Sequence, residues 1–137
     1  MLDAIFIIAR ILFSVLFLLS ALGHLTKADA MAQYAVYKGA PGGKAGVILT
    51  GITFGLGALS VLLGIYGDIG ALLIAATLVP VSLFMHAHWK EEDAQAKQAE
   101  QISFNKNISL IGGALAFFVV FAALPQHVAI TGSLIHL

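Results

Sequence analysis

Residues 82–107 read SLFMHAHWKEEDAQAKQAEQISFNKN, the longest polar stretch of the chain, and apolar sequence encloses it on both sides. His86, His88 and Trp89 stand where the preceding apolar run ends, and Asn107 stands where the next one begins. This pattern predicts a loop between two membrane-spanning helices, with polar side chains at both of its ends. Histidine and tryptophan at that depth either anchor the helix among the lipid headgroups or line a binding site.

The composition points to a membrane protein. Of the 137 residues, 60% are hydrophobic and 10% are charged, and the mean hydropathy is +0.98. A soluble domain carries about 25% charged residues, and a chain this short could not hide so much apolar surface from water. Lysine plus arginine and aspartate plus glutamate number seven each, so no basic excess favours nucleic acid. The absence of cysteine excludes an internal disulfide and a thiolate metal site.

Four apolar runs, at about residues 4–25, 47–65, 69–88 and 107–124, are long enough to cross a bilayer, since a span needs about 20 residues. The sequence therefore predicts an all-α protein, an integral membrane four-helix bundle that forms a single domain over residues 1–137. A signal peptide begins with basic residues, but the residues before the first run contain an acid, Asp3, and no lysine or arginine. That run is therefore interpreted as a retained helix and not as a cleaved signal peptide.

The connections between the runs have their own signals. Residues 27–38 are rich in alanine and contain Tyr34 and Tyr37, which predicts a short interfacial helix in the first loop. Pro125 is expected to end the fourth span. The tail from residue 128 to residue 137 is too short to cross the membrane, so it is expected to lie at the interface or to pack against the bundle.

Arg10 lies inside the first apolar run, where a charge is costly unless it snorkels to the interface or finds a partner within the protein. One helical face carries it together with small and polar residues, because the spacing is i, i+4, i+7, i+11 and i+14. These residues are Arg10, Ser14, Phe17, Ala21 and His24. We expect this face to point into the bundle, with snorkelling as the alternative for Arg10.

The partner of Arg10 can be narrowed from the sequence. No carboxylate lies within a span, so the choices are Asp68 in the short second loop, Asp3, and carbonyl groups at a helix end. Asp68 is the expected partner, because it is the only acid in that loop.

His24 belongs to a second expected cluster. At about 1.5 Å per residue it lies some 21 Å along the helix from Arg10. We expect His24 and His86 to bound a cavity there, closed by Trp89 and by residues 105–107.

Glycine marks the expected helix contacts. Gly51 and Gly55 form a GxxxG pattern in the second span, which favours close helix packing rather than a phosphate-binding loop. Gly112 and Gly113 open the fourth span and are expected to face a neighbouring helix closely. Pro80 predicts a kink in the third span.

Lysine distribution predicts the orientation. The second loop and the tail contain no lysine or arginine. The first and third loops contain six lysines: Lys27, Lys38, Lys44, Lys90, Lys97 and Lys106. The positive-inside rule therefore predicts that both long loops are cytoplasmic and that both termini lie on the outer side of the membrane. The expected location is the inner (plasma) membrane, as a multi-pass protein. His24, His86 and His88 then lie at the cytoplasmic face, and His127 and His136 at the other.

These residues resemble the motifs of the DoxX family of small four-helix bacterial membrane proteins. The resemblance rests on an early arginine, a Gly-His-Leu exit from the first span, an aromatic-x-Gly-x-Pro ending of the first loop, and a His-x-x-Trp segment followed by Phe-x-Lys-Asn and Gly-Gly. Here they are Arg10, Gly23-His24-Leu25, Tyr37-Lys-Gly-Ala-Pro41, His86-Ala-His-Trp89, Phe104-Asn-Lys106-Asn107 and Gly112-Gly113. The chain departs at His88, where the family commonly has an aromatic residue.

The resemblance implies a redox context. Some relatives are named as small subunits of terminal quinol oxidases, and others are linked to oxidative-stress or thiol defence as membrane partners of soluble enzymes. The family has no agreed catalytic residues. The first hypothesis is a redox-associated subunit that binds a quinone or a similar amphipathic ligand in the bilayer and partners a membrane or soluble enzyme, as a monomer or an oligomer. Its candidate ligand-binding residues are Arg10, His24, His86, Trp89 and Asn107.

Two other hypotheses account for the same residues. In the first, the protein is a non-catalytic packing or partner protein whose polar side chains fix the helices. In the second, His24 with His86 or His88 binds haem or a metal, since imidazole ligates both. The spacing is weak support for the latter, because His86 and His88 point to different helix faces and no HExxH motif is present. The sequence leaves open whether any reaction is catalysed.

Overall fold

The structure is a computed structural model that describes residues 1–123 and 128–135. Its helices are α1 (Leu2–Thr26), α2 (Ala28–Tyr37), α3 (Gly43–Leu63), α4 (Gly67–Met85) and α5 (Ala94–Ala123), with a 3₁₀ turn at His88–Lys90. No strand occurs among these described residues. Four of the helices, α1, α3, α4 and α5, are long and apolar enough to cross a membrane. The predicted all-α bundle, with a short helix in the first loop, is confirmed.

Most of the polar stretch at residues 82–107, which was predicted to be a loop, is helical in the structure. The backbone leaves the α-helical conformation at His86, with φ −120° and ψ 40°. Trp89, in the 3₁₀ turn that follows, therefore does not continue the helical face of α4 on which Ser82 is buried. Helix α5 then begins at Ala94 and has 30 residues. At about 1.5 Å per residue it exceeds the roughly 30 Å of hydrocarbon. The expected end of the fourth span at residue 124, Pro125, His127 and His136 lie outside the described residues.

A small apolar cluster joins α2 to the start of α3. The spanning helices pack around the main apolar core, where α3 touches both α1 and α4. Phe17, Phe54, Val61, Ile74 and Phe121 are among its buried members. Large apolar side chains on the outer surface remain exposed, as expected for a surface that faces lipid. The core is therefore narrow and depends on close helix approach more than on bulk.

Glycine allows that approach at some positions and not at others. A Cβ on Gly51 would lie 2.8 Å from the Cβ of His24, and one on Gly57 would lie 2.9 Å from the carbonyl oxygen of Gly70. The GxxxG region thus packs against α1, and α3 crosses α4 tightly. The expectation that Gly112 faces a neighbouring helix closely is wrong, because nothing lies within 4 Å of a Cβ built there. A Cβ built on Gly113 would lie 3.5 Å from Cε2 of Phe13 in α1.

The polar face of α1 points inward. Arg10, Ser14, Phe17 and Ala21 are all buried, and Arg10 is only 3% exposed. This confirms the predicted inward face and excludes snorkelling by Arg10. We call the end of the bundle where α1 begins and α3 ends the Arg10 end, and the opposite end, where α1 ends and α3 begins, the His24 end.

Candidate functional site

A cavity of about 660 Å³ lies at the His24 end, between the last turn of α1, α2, the first half of α3 and the second half of α4. Small residues leave this space open, because Ala30, Ala35, Gly46 and Ala76 project little or no side chain into it. Its apolar lining includes Met31, Val47, Leu49, Pro80, Val81 and Phe84. Its polar lining consists of His24, Lys27, Tyr34, Thr50, Thr53 and Thr77.

His24 is held in this cavity by three neighbours. Its Nδ1 lies 2.8 Å from the carbonyl oxygen of Ser20, one turn earlier in α1. Gly51 supports its Cβ, and the ring of Phe54 meets the imidazole edge to face at a centroid distance of 6.0 Å. A helix bond, a close glycine and an aromatic ring therefore fix the ring orientation, and Nε2 bonds to no described residue.

Beside the cavity lies a group of polar and charged residues that we call the Glu100 cluster: Tyr34, Lys38, His86, Glu91 and Glu100. The Nζ of Lys38 lies 2.7 Å from a carboxylate oxygen of Glu91 and 2.7 Å from one of Glu100. Glu100 also contacts His86 Nδ1 at 2.8 Å and accepts a bond from the Tyr34 hydroxyl at 3.4 Å. The cluster ties the first loop to the start of α5.

Electrostatics within the Glu100 cluster favour the ion pairs. Burial alone would lower the pKa of Lys38, but its bonds to Glu100 and Glu91 outweigh burial and raise that pKa above its ordinary value. The side chains of Lys38 and Glu100 are only 10% and 15% exposed, so water screens this pair less than a surface ion pair.

The other predicted residues of the His24 end lie elsewhere. His86 belongs to the Glu100 cluster and does not line the cavity. Trp89 is half exposed and packs with His88 and Phe104, at ring-centroid distances of 5.2 and 5.7 Å. Asn107 is buried in α5. The structure therefore brings His24 to the cavity but places neither Trp89 nor residues 105–107 there, and the expected joint site of His24 and His86 is not formed.

Arg10 lies at the opposite end, and its predicted partner was wrong. Its Nε donates to the carbonyl oxygen of Val61 at 2.8 Å, its Nη2 donates to that of Leu62, and its Nη1 donates to that of Val128 at 2.9 Å. Carbonyl groups at a helix C-terminus have no partner in their own helix and form the negative end of its dipole. They satisfy a guanidinium without the cost of burying a second charge.

Asp68 binds the tail instead of Arg10. Its Oδ2 accepts bonds from the backbone N–H groups of Leu134 and Ile135, at 2.9 and 2.7 Å. The carbonyl oxygen of Gly64 accepts bonds from Ile130 and Thr131. The described part of the tail thus packs against the bundle at the Arg10 end, one of the two placements expected for it.

The three histidines weighed as haem or metal ligands have different neighbours. His24 lines the cavity, His86 contacts Glu100, and His88 packs against Trp89 and Phe104. In residues 1–123 and 128–135, no three histidine, aspartate or glutamate side chains gather as a metal-binding group would require.

Sequence reasoning missed the Glu100 cluster, because mixed charges such as those of residues 90–101 are typical of a solvated surface. A helical signal was present. Glu100, Phe104 and Asn107 are spaced i, i+4 and i+7, so one face of α5 carries all three. Phe104 and Asn107 are at least partly buried, and Glu100 lies on the same inward face.

Comparison with known proteins agrees with the motifs. The DoxX family model matches residues 5–87, more than half of the chain. The match contains Arg10, His24 and the first-loop motif, whereas the motifs of α5 lie beyond it. Searches of curated proteins and of solved structures find no match. With the family motifs, the four spanning helices and this match in agreement, the chain belongs to the DoxX family.

Proposed function

We propose that this small integral membrane protein is a redox-associated subunit that binds a quinone or a similar amphipathic ligand in the cavity at the His24 end. Small-molecule sites have volumes of about 300–1,000 Å³, mostly apolar walls and a few polar groups. The cavity of about 660 Å³, with His24 among largely apolar residues, has these properties. That cavity is the observation on which the proposal rests.

The position of the cavity suits a ligand with a polar ring and an apolar tail. Leu49 and Phe84 line it and are 61% and 38% exposed, so its wall continues into the surface that faces lipid. Lys27 and Tyr34 border it on the side of the first loop. A head group can therefore lie beside His24 while a tail follows the apolar surface into the bilayer. The family context adds a membrane or soluble redox enzyme as the partner, with the long loops in the cytoplasm.

The test is to purify the protein in mild detergent and to measure the quinone that copurifies per protein. A cavity-filling variant, Ala76→Phe, should lose the quinone, whereas Leu16→Phe on the lipid-facing surface should retain it. A wild-type extract that contains only lipid would overturn the proposal. The visible spectrum of the same sample checks the alternative, because a haem band would favour the histidine-ligand hypothesis.

A specific observation favours the packing hypothesis for part of the molecule. Arg10 and Asp68, two buried charged residues, bond to the backbone of the chain itself. The guanidinium of Arg10 and one carboxylate oxygen of Asp68 therefore need no ligand, whereas Asp68 Oδ1 and Ser14 Oγ are buried without a partner among the described residues. We infer that this end stabilises the bundle and that ligand binding is confined to the His24 end.

A further inference from the structure

We propose that the cavity selects a ligand whose polar end donates a hydrogen bond, as the hydroxyl group of a quinol or a phenol does, over one that only accepts, as a carbonyl does. This inference rests on the proposed function and specifies the chemistry of its ligand. It follows from where the hydrogens of the polar lining residues are directed.

His24 supplies the first acceptor. The carbonyl oxygen of Ser20 can only accept a hydrogen bond, so the Nδ1 at 2.8 Å from it must carry the proton. In a neutral imidazole the other nitrogen, Nε2, then has a free lone pair. No described residue bonds to Nε2, so this lone pair is available to a ligand hydroxyl.

The three threonines of the lining direct their hydrogens away from the cavity. Thr50 donates to the carbonyl oxygen of Gly46 at 2.9 Å, Thr53 to that of Thr50 at 2.9 Å, and Thr77 to that of Leu73 at 2.7 Å. Each hydroxyl has one hydrogen and two lone pairs, and its hydrogen is already used. What the threonines offer a ligand is acceptors.

Donors are found only towards the first loop. Among the described lining residues they are the ammonium group of Lys27 and the N–H groups of Ala30 and Gly43, in the first turns of α2 and α3, since the Tyr34 hydroxyl already donates to Glu100. Lys27 is exposed and strongly hydrated. Thr53 lies ten residues further along α3 than Gly43, about 15 Å at the helical rise. Acceptors thus line the deeper part of the cavity, where the ring of a ligand would lie.

A phenol and its methyl ether, in which a methyl group replaces the hydroxyl hydrogen, test this inference. 4-Nonylphenol and 4-nonylanisole share their ring and tail, but only the phenol can donate. Binding of each to the purified protein at pH 8 should favour the phenol about fivefold to tenfold, which corresponds to one hydrogen bond. In His24→Phe the phenol should lose this advantage, while the anisole binds as before.

His88→Phe is the matched control, because it makes the same substitution outside the cavity and should retain the preference for the phenol. If both compounds bind equally well to the wild type, or if the anisole binds more tightly, the inference is wrong and the proposed function stands. If neither compound binds and Ala76→Phe retains as much quinone as the wild type, the proposed function fails with it.

Discussion

The Nε of Arg10 lies 2.8 Å from the carbonyl oxygen of Val61, so the buried guanidinium of α1 bonds to the last turn of α3. The same side chain reaches Leu62 and Val128, and the rings of Phe6 and Phe121 flank it at 5.5 and 5.8 Å. One residue thereby joins two spanning helices and the tail.

Replacing Arg10 by methionine should destabilise the bundle on the order of 3 kcal/mol, because charge-assisted bonds to one buried and two partly buried carbonyl groups are lost. Thermal unfolding in detergent, followed by circular dichroism, measures the effect. Lys97→Met makes the same kind of change at an exposed position of α5 and should leave the midpoint nearly unchanged. Equal midpoints for the two variants would contradict a structural role for Arg10.

Gly70→Ala and Gly112→Ala separate helix packing from helix propensity. Both substitutions gain the intrinsic advantage of alanine in a helix, about 1 kcal/mol. A Cβ at position 70 would lie 2.8 Å from the carbonyl oxygen of Gly57 and would press on Ser60, whereas position 112 is open. We expect Gly70→Ala to lower the unfolding midpoint and Gly112→Ala to maintain or raise it. The packing argument fails if the two variants behave alike.

The ion pair of Lys38 and Glu100 should contribute more than a surface pair. A double-mutant cycle with Lys38→Met and Glu100→Gln is expected to give a coupling free energy on the order of 1 kcal/mol, because the pair is largely buried. The matched cycle with Lys44→Met and Asp29→Asn should give a value near zero, since those side chains are 54% and 80% exposed. Similar coupling in both cycles would refute a special role for the Glu100 cluster.

Asp68→Ala should loosen the tail. Without the carboxylate, the N–H groups of Leu134 and Ile135 lose their acceptor, so their amide hydrogens should exchange at least about tenfold faster. Hydrogen–deuterium exchange read by mass spectrometry measures this directly. Asp3→Ala removes an exposed acid from the same end of the bundle and should not alter exchange in the tail. Unchanged exchange in Asp68→Ala would show that other contacts hold the tail.

Orientation can be tested with single cysteines, since the chain has none of its own. We expect Gly132→Cys to react with a membrane-impermeant thiol reagent on intact cells, and Ala94→Cys to react only after permeabilisation. This follows from the six lysines of the first and third loops. Labelling of Ala94→Cys from outside would invert the topology.

The sequence specified the helices and their inward faces well, because hydrophobic periodicity and span length are properties of the side chains. The spacing of Arg10, Ser14, Phe17 and Ala21 predicted that they share one inward face, and their burial confirms it over the snorkelling alternative for Arg10. Carbonyl groups at a helix end were among the possible partners of Arg10, but the spacing gave no reason to choose them over Asp68. The acceptors of Arg10 are backbone carbonyl groups, which every residue possesses, so no side-chain pattern marks them.

The candidate site was harder to predict for a related reason. A cavity depends on where side chains are absent, and Gly46 and Ala76 carry no chemical signal of the space beside them. His24 was identified because a histidine on an apolar face is conspicuous. His86 was grouped with it on the basis of membrane depth, but depth does not define direction, and its ring meets Glu100.

The three bonds of Arg10 also bear on how the protein is made. Val61 follows Arg10 by 51 residues and Val128 follows it by 118, so the first helix is synthesised long before its partners exist. During insertion the guanidinium must stay near the headgroups, because a lone arginine at the membrane centre costs at least about 2.5 kcal/mol. It can turn inward only once α3 has entered the bilayer, and its third bond forms only after Val128 has been synthesised. The arginine thus makes the first span dependent on residues far later in the sequence, and a chain that stops before α3 would retain an unpaired charge in the first helix.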